Sequence, residues 1–259
     1  MIERTSTAEV ERWLDELYIA ADGACLRDED RRKAVEVAAM LDEIRLALAR
    51  TARARAVTLV DAAAGKAYVG LLAARLVLEP LGRRGRVVAL EREPDRAAAA
   101  RAAVARLGSR LSIECRVADV GDPAAWPDEP DLVVALHACG PAADAIIDRA
   151  AAAGARRLLL VPCCTGAAVA AAGLASNAAR ALGVPRHAQV RRRFVQAVVD
   201  AERTLRLEAA GYQTEVVELV PPTVTPHNLL WRACRVREPR RSAAARAALE
   251  RLAAAGRSP

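Results

Sequence analysis

Short apolar runs alternate with longer segments of helical periodicity from residue 56 onward. The runs cover residues 56–60, 86–90, 111–117, 131–136 and 157–161. Each run is apolar almost throughout, which is typical of strands buried on both faces by helices. The pattern therefore predicts an α/β domain built from βαβ units around a parallel sheet.

The last part of the chain breaks this pattern. A helix is predicted over residues 188–210, followed by strands over 212–220 and 229–236. Two strands joined by so short a connection must be antiparallel. We therefore predict a seven-stranded, mostly parallel sheet with an antiparallel terminal strand. A dinucleotide-dependent oxidoreductase, the competing α/β assignment, would usually end with a parallel strand.

Helical periodicity also precedes the sheet and predicts a division of the chain into three parts. These are a helical N-terminal extension over 1–52, a ligand-binding domain over 53–238, and an Arg/Ala-rich tail over 239–259. Ser6 and Glu9 have the spacing of a capping box. The extension is expected to cover the ligand cleft as a lid, with its aromatic side chains used mainly in packing.

The charge balance gives only weak support for a nucleic-acid partner. The net charge is +7, and residues 237–259 alone carry six Arg and two Glu, which leaves +3 for the rest of the chain. No apolar run is long enough to cross a bilayer, and the charged N-terminus lacks the apolar region of a secretory signal. We therefore expect a cytoplasmic protein with no membrane partner.

Six scattered cysteines predict free thiols in a reducing compartment. There is no C-x-x-C pair and no dense framework of the kind that small secreted domains use. Cys139, Cys163 and Cys164 lie near His137, but their spacing matches no common zinc pattern, so no metal is expected.

The first strand leads into the turn DAAAGKAYVG, residues 61–70. It lacks the G-x-x-x-x-G-K-[ST] of a P-loop and the crowded glycines that a pyrophosphate needs. A nucleoside ligand without a pyrophosphate suits the turn. Gly65 lets the backbone approach the ligand, Gly70 permits close packing of helix on strand, and Ala63 and Lys66 are predicted contacts.

Carboxylates follow three successive strands. Asp61, Glu91 and Asp119 are expected at the carboxyl edge of the sheet, where ligands of open α/β sheets bind. Glu91 is predicted to accept both ribose hydroxyls, Asp119 an adenine amino group, and Asp61 an ammonium group. Arg92 and Val120, directly after two of these carboxylates, are predicted to contact the same ligand. Each carboxylate alone could equally be an ordinary polar strand end.

Reactive side chains are predicted at the same edge. The fourth strand runs into LHACG, which places His137 and Cys139 there, and the fifth runs into PCCT, residues 162–165. His137 is the candidate general base or orienting group, with a merely hydrogen-bonded histidine as the alternative. Asn228, in the final strand connection, is a candidate hydrogen-bond donor to the reacting group. The Arg run 191–193 is interpreted as a solvated face, with a phosphate clamp as the alternative.

Taken together, these motifs resemble one family. DAAAGKAYVG, ALHACG, VPCC, TPHN and the upstream RRKAVEV resemble class I methyltransferase domains of the methyltransferase-like 25 type, which include the domain of glutathione S-transferase C-terminal-domain-containing protein. The resemblance covers roughly residues 31–236. It implies a Rossmann-like fold, S-adenosylmethionine as cofactor, His137 at the acceptor, and RNA as the first expectation for that acceptor.

The sequence departs from the family pattern mainly on the acceptor side. Ala67 stands where the family has Gly, Pro141 and Ala142 replace Asp-Leu, and Thr165 and Gly166 replace Tyr-His. Because Gly65 is kept, the cofactor turn is expected to survive. The altered acceptor motifs leave an alternative function open, namely a catalytically inactive module of the same fold that binds RNA or a protein.

Overall fold

The computed structural model describes residues 4–49, 51–52, 54–163, 166 and 168–256. Seven strands form one sheet in the order β3-β2-β1-β4-β5-β7-β6. The strands are β1 (Val57–Ala62), β2 (Gly85–Glu91), β3 (Ser112–Val117), β4 (Leu132–Ala138), β5 (Arg157–Pro162), β6 (Tyr212–Glu218) and β7 (Leu229–Arg235). β7 is antiparallel to β5 and β6, and the other pairings are parallel. The predicted sheet is confirmed.

Eight α-helices accompany these strands within the described part of the chain. They are α1 (Thr7–Leu14), α2 (Asp28–Ala49), α3 (Tyr68–Ala73), α4 (Pro94–Leu107), α5 (Pro141–Ala152), α6 (Ala170–Ala181), α7 (Ala188–Ala209) and α8 (Pro239–Ala255). α1 and α3 each continue into a wider π-helical turn, Asp15–Ile19 and Ala74–Leu78. The sequence analysis did not predict α6.

The predicted capping box at the start of α1 is wrong. Ser6 occupies the N-cap position with an extended backbone, but its side chain makes no capping hydrogen bond. The helix is stabilised instead by its buried face, which carries Val10, Trp13 and Leu14. For a short helix, packing of this kind outweighs a single cap.

Apolar side chains cover both faces of the sheet, as the apolar runs predict. On one face Leu59, Val87 and Val134 join the core formed with α2 and α3. On the other face Val60 and Val133 join a second core beneath α5. Successive residues of a strand point to opposite faces, so both layers need an unbroken apolar run.

The strand order reverses between β1 and β4, which places the β1–α3 turn at the switch point where ligands of such sheets bind. β6 is antiparallel to β7, and β7 is antiparallel to β5, so β6 runs parallel to β5. The ends of β1 to β6 therefore share one edge of the sheet, which we call the carboxyl edge. Within the part of the chain that the structure describes, no helix has the length and apolarity to cross a bilayer.

The helix α2 is fixed to the sheet at two places. The carboxylate of Glu43 receives two hydrogen bonds of 2.7 Å from the guanidinium of Arg232 on β7. At the end of α2, the buried guanidinium of Arg83 donates to the carbonyl oxygens of Leu48 and Thr51. Leu48 lies in the last turn of α2, where carbonyl oxygens lack partners within the helix, and its carbonyl oxygen also accepts the Thr51 N–H. Arg83 therefore helps to close the end of the helix.

Candidate functional site

The turn between β1 and α3 is a compact loop that rests on the end of β2. Three of its residues have left-handed backbones: Ala63 (φ 55°), Gly65 (φ 59°) and Ala67 (φ 60°). The Ala64 N–H donates to the carbonyl oxygen of Leu90 at 2.9 Å. The chain therefore folds back on itself between the two strands and turns its backbone toward the carboxyl edge, as the sequence predicts for Gly65.

Glu91 holds this loop through its side chain. One carboxylate oxygen accepts the Gly65 N–H at 2.7 Å and the other accepts the Glu93 N–H at 2.9 Å. A Cβ added to Gly65 would meet no atom within 4 Å, so open space lies beside the loop at this point. An ionised carboxylate has about four lone-pair positions, so Glu91 can also accept hydroxyl hydrogens. This acceptor capacity is what a ribose with two hydroxyls would use.

Asp61 is used inside the protein. It is 2% exposed, and its carboxylate accepts the Gly70 N–H at 2.8 Å. A Cβ on Gly70 would lie 3.0 Å from the Asp61 side chain and 3.1 Å from Val87, which explains why glycine is needed here. The pKa of Asp61 is raised to about 7, mainly because the carboxyl group is buried; the Gly70 N–H lowers this pKa in part, and the nearby charge of Glu91 adds a smaller increase. The structure thus gives Asp61 the role of joining β1 to α3.

The third predicted carboxylate lies beyond the end of β3 and is exposed. Asp119 accepts the N–H of Gly121 at 2.7 Å, which closes a tight turn. The side chain of Val120 is buried, and its carbonyl oxygen accepts the indole N–H of Trp126 at 2.9 Å. Asp61 and Glu91 therefore meet at one loop, while Asp119 reaches the carboxyl edge from the neighbouring strand.

Two further predicted contacts differ in their environment. The carbonyl oxygen of Lys66 accepts a hydrogen bond from the hydroxyl of Tyr18 at 2.7 Å, so the N-terminal segment holds the β1–α3 loop. Tyr18 is buried, and its ring packs edge-on against Tyr68 with centroids 4.6 Å apart. Arg92 is exposed and forms an ion pair of 3.2 Å with Glu93. The N-terminal aromatic Tyr18 is thus a core residue.

His137 sits in an irregular part of β4. The pairing of β4 with β5 shifts register between Leu136 and Ala138, and His137 has a left-handed φ of 63°. Its Nε2 atom lies 2.9 Å from a carboxylate oxygen of Glu36 on α2, and the Lys33 ammonium lies 3.3 Å from the same oxygen. Bulges of this kind redirect a side chain and are frequent beside active sites.

Cys139 and Cys163 form a disulfide across the ends of β4 and β5. The prediction of free thiols is therefore wrong for this pair. Neighbouring parallel strands bring two side chains together that are 24 positions apart, with Cα atoms separated by 5.3 Å. Cys139, a predicted catalytic residue, offers no thiol in this state. Cys25 and Cys115 are free, and burial raises the pKa of Cys115 to about 11.

Asn228 shapes the connection between β6 and β7. Its side-chain amide donates to the carbonyl oxygen of Val220 at 2.8 Å, and its backbone carbonyl oxygen accepts the Leu219 N–H at 2.8 Å. The residue is buried at the carboxyl edge. The described contacts of Asn228 are therefore those of a residue that closes the strand connection.

Cys164 and Thr165, which the sequence also places at this edge, lie outside the described residues. Among the residues that are described, no group of three or more His, Cys, Asp or Glu side chains is arranged to hold a metal ion.

The sequence and the fold agree with one family. Residues 32–170 match the model of a family described as a methyltransferase domain, which is more than half of the chain. The chain belongs to this methyltransferase family. The domain has the predicted Rossmann-like class I fold, and the predicted methyl donor, S-adenosylmethionine, is confirmed with the family. The family match includes most of α2, the helix that carries Glu36.

Several solved methyltransferases are similar to this chain at low sequence identity. The citrinin polyketide synthase CMeT domain covers 90% of this chain and 65% of its own, with 12% identity and a TM-score of 0.50. Magnesium protoporphyrin IX methyltransferase from Synechocystis PCC 6803, solved with bound SAH, covers 89% and 99%, with 13% identity and a TM-score of 0.49. A SAM-dependent methyltransferase from Aquifex aeolicus covers 89% and 99%, with 14% identity and a TM-score of 0.45. No curated protein matches the sequence.

Glu36 is the site residue that sequence reasoning missed. It lies on the buried face of α2, together with Ala34, Val37 and Met40. A single carboxylate within an apolar helix face was the available signal, because such a group is rarely buried without a partner.

Proposed function

We propose that this chain is an S-adenosylmethionine-dependent methyltransferase of the methyltransferase-like 25 type. The observation that carries the proposal is the β1–α3 loop, which Glu91 holds through the Gly65 N–H at 2.7 Å beside open space. A loop without crowded glycines suits a nucleoside that lacks a pyrophosphate. Glu91 would accept the ribose hydroxyls, and Asp119 would lie toward the base.

The protein's part in catalysis is to hold and orient the reactants. S-adenosylmethionine supplies a methyl group that its sulfonium already activates. The loop residues Ala63 and Gly65 offer backbone atoms to the cofactor, and Asp61 keeps α3 in place behind them. His137 would orient the acceptor or take its proton, because it projects from the adjacent strand end. Alignment of two reactants in this way accounts for much of an enzymatic rate enhancement.

RNA is the acceptor that we propose. α7 runs back to β6, which begins at the opposite edge of the sheet, so the start of α7 lies toward the carboxyl edge. Arg192 and Arg193 are exposed there and form no ion pair within the described residues. Exposed arginines near a methyl-transfer site favour an acceptor with a phosphate backbone.

Calorimetry with S-adenosylhomocysteine tests the cofactor site. Glu91→Ala removes the carboxylate that would bind the ribose, so affinity is expected to fall roughly 10- to 100-fold, the value of one or two hydrogen bonds to a charged group. Glu93→Ala is the matched control, since this neighbouring carboxylate is exposed, and its affinity is expected to stay within about 2-fold. A Glu91→Ala protein that binds as tightly as wild type contradicts the ribose assignment.

The acceptor is identified by transfer of a tritiated methyl group to fractionated RNA, protein and small-molecule extracts. Label in the RNA fraction is the expected result. A second function, a binding module without catalysis, is favoured by the disulfide that ties together the two acceptor-side strand ends. Tight binding of the cofactor product with no labelled fraction, in oxidised and in reduced protein, would support that function instead.

A further inference from the structure

The Glu36–His137 contact joins two distant parts of the chain at the acceptor side of the site. The residues are 101 positions apart, and the Oε2 of Glu36 lies 2.9 Å from the Nε2 of His137. The Glu36 side chain is 7% exposed and that of His137 is 22% exposed. Burial alone would raise the pKa of Glu36, but the hydrogen bond with His137 and the charge of Lys33 outweigh it and lower that pKa. Glu36 is thus a buried carboxylate that stays ionised.

The backbone of His137 is held in a costly conformation. A left-handed φ is unfavourable for a residue that carries a Cβ, and His137 has a φ of 63°. Such a conformation persists only where the surrounding structure imposes it, and it is concentrated at functional sites. Here the bulge between Leu136 and Ala138 turns the imidazole toward α2. The strained backbone and the buried contact with Glu36 therefore both fix the orientation of the His137 imidazole ring.

We propose that Glu36 is a positioning residue that makes His137 a general base through its Nδ1 atom. The carboxylate accepts the Nε2–H, which fixes the tautomer whose lone pair is on Nδ1. No described residue occupies Nδ1 with a hydrogen bond. This inference rests on the proposed function and narrows its acceptor to a group that must lose a proton, such as a hydroxyl or an amine.

The proposed transfer moves one proton and one methyl group. The proton of the acceptor passes to Nδ1, and the acceptor's electron pair forms the new bond to the methyl carbon. The electron pair of the breaking carbon–sulfur bond stays on sulfur. The imidazolium produced is stabilised by the Glu36 carboxylate until the proton leaves to water, which is the part that the carboxylate plays in a Ser-His-Asp triad. Lys33 is the other charged group at this contact, and its ammonium pairs with the same carboxylate.

Kinetics of isosteric variants test the role of Glu36. Glu36→Gln keeps the size of the side chain but removes its charge. The kcat for transfer of the tritiated methyl group to the labelled extract fraction is therefore expected to fall roughly 100-fold, the lower end of general-base contributions. Binding of S-adenosylhomocysteine should stay within about 3-fold of wild type, because the cofactor loop is untouched. Glu36→Asp should recover part of kcat. Asp42→Asn is the control on the same helix, since Asp42 accepts the Thr5 N–H and should keep wild-type kcat.

A nitrogen-15 spectrum of the histidine rings gives a readout that needs no acceptor. The chain has three histidines, and a His137→Asn variant identifies the signals of His137. The expected wild-type neutral ring carries its proton on Nε2. A proton on Nδ1 would overturn the inference, as would unchanged kcat in Glu36→Gln. If the wild-type protein transfers no tritiated methyl group to any extract fraction but His137 carries its proton on Nε2, the proposed methyltransferase function is wrong. The hydrogen bond from His137 to Glu36 is then still supported.

Discussion

Alanine occupies two left-handed positions in the cofactor loop, Ala63 and Ala67. The second is the position where the methyltransferase-like 25 pattern that the sequence resembles has glycine, and its φ of 60° shows why glycine suits it. The methyl group of Ala67 is fully buried among apolar side chains, so it gains packing that offsets part of the backbone cost. The departure from the family pattern thus leaves the loop in the conformation that a glycine would give.

Replacement of Ala63 by glycine should stabilise the protein. Ala63 has a φ of 55° and is only half-buried. Relief of a left-handed backbone is worth roughly 1–2 kcal/mol, and the added freedom of the unfolded chain costs about 0.5–1 kcal/mol. The free energy of unfolding in denaturant should therefore rise by about 0.5–1 kcal/mol. Ala98→Gly, on the exposed face of α4, should lower it by about 1 kcal/mol. A decrease in both variants would contradict the argument.

Asp61 should make stability depend on pH. Its pKa is raised by burial to about 7 in the folded protein, against about 3.9 in an unfolded chain. A raised pKa means that the contribution of Asp61 to stability is complete below about pH 4 and is lost as the pH rises to about 7. The loss is on the order of 4 kcal/mol.

Asp61→Asn isolates this contribution. An amide oxygen still accepts the Gly70 N–H but does not titrate. The free energy of unfolding of the variant should therefore rise relative to that of wild type as the pH goes from 4 to 7, in denaturant titrations at each pH. Parallel stability curves for the two proteins would show that Asp61 does not titrate in this range.

At the scale of elements, the carboxyl ends of β4 and β5 are joined by both backbone and side chains. The Cys163 N–H donates to the carbonyl oxygen of Ala138 at 3.4 Å, and the Cys139–Cys163 disulfide begins at the residue that directly follows β4. Both strand ends carry acceptor-side motifs. A covalent link at this point restricts the distance between the two strand ends.

Loss of the disulfide should destabilise the fold. A cross-link over a separation of 24 residues restricts the unfolded chain by about 3 kcal/mol. Cys163→Ser should therefore lower the free energy of unfolding by up to about 3 kcal/mol under oxidising conditions. A dithiol reductant should destabilise wild type by a similar amount and leave the variant unchanged. Cys25→Ser, at an exposed free thiol, should behave as wild type. If the free energy of unfolding of the wild-type protein is the same with and without the reductant, the cross-link is contradicted.

At the scale of the whole molecule, the sheet could be predicted because its signal is local. A strand buried on both faces needs a continuous apolar run, and a carboxylate directly after such a run must lie at the sheet edge. Asp61 and Glu91 were placed correctly for this reason. The predicted antiparallel pairing of β6 and β7 also follows from the shortness of their connection.

The features that escaped prediction depend on tertiary contacts. Glu36 meets His137 only because α2 packs across the sheet, and no local pattern encodes that crossing. The disulfide likewise depends on which strands become neighbours. The buried side chains of α6 are all alanines, so no large apolar residue marks the buried face of this helix in the sequence. What the side chain of Asp61 does was also hidden, since the sequence shows a carboxylate but not the Gly70 N–H beside it.

The position of α2 has a practical consequence for anyone who trims this protein for biochemistry. Removal of residues 1–52 would delete Glu36, the partner of His137, and Glu43, which binds Arg232 on β7. It would also expose to water the apolar surface around Leu59 and Val134. Such a fragment would retain the loop that Glu91 holds but would have neither the covered sheet nor the oriented imidazole. The smallest piece worth expressing therefore starts upstream of Asp28.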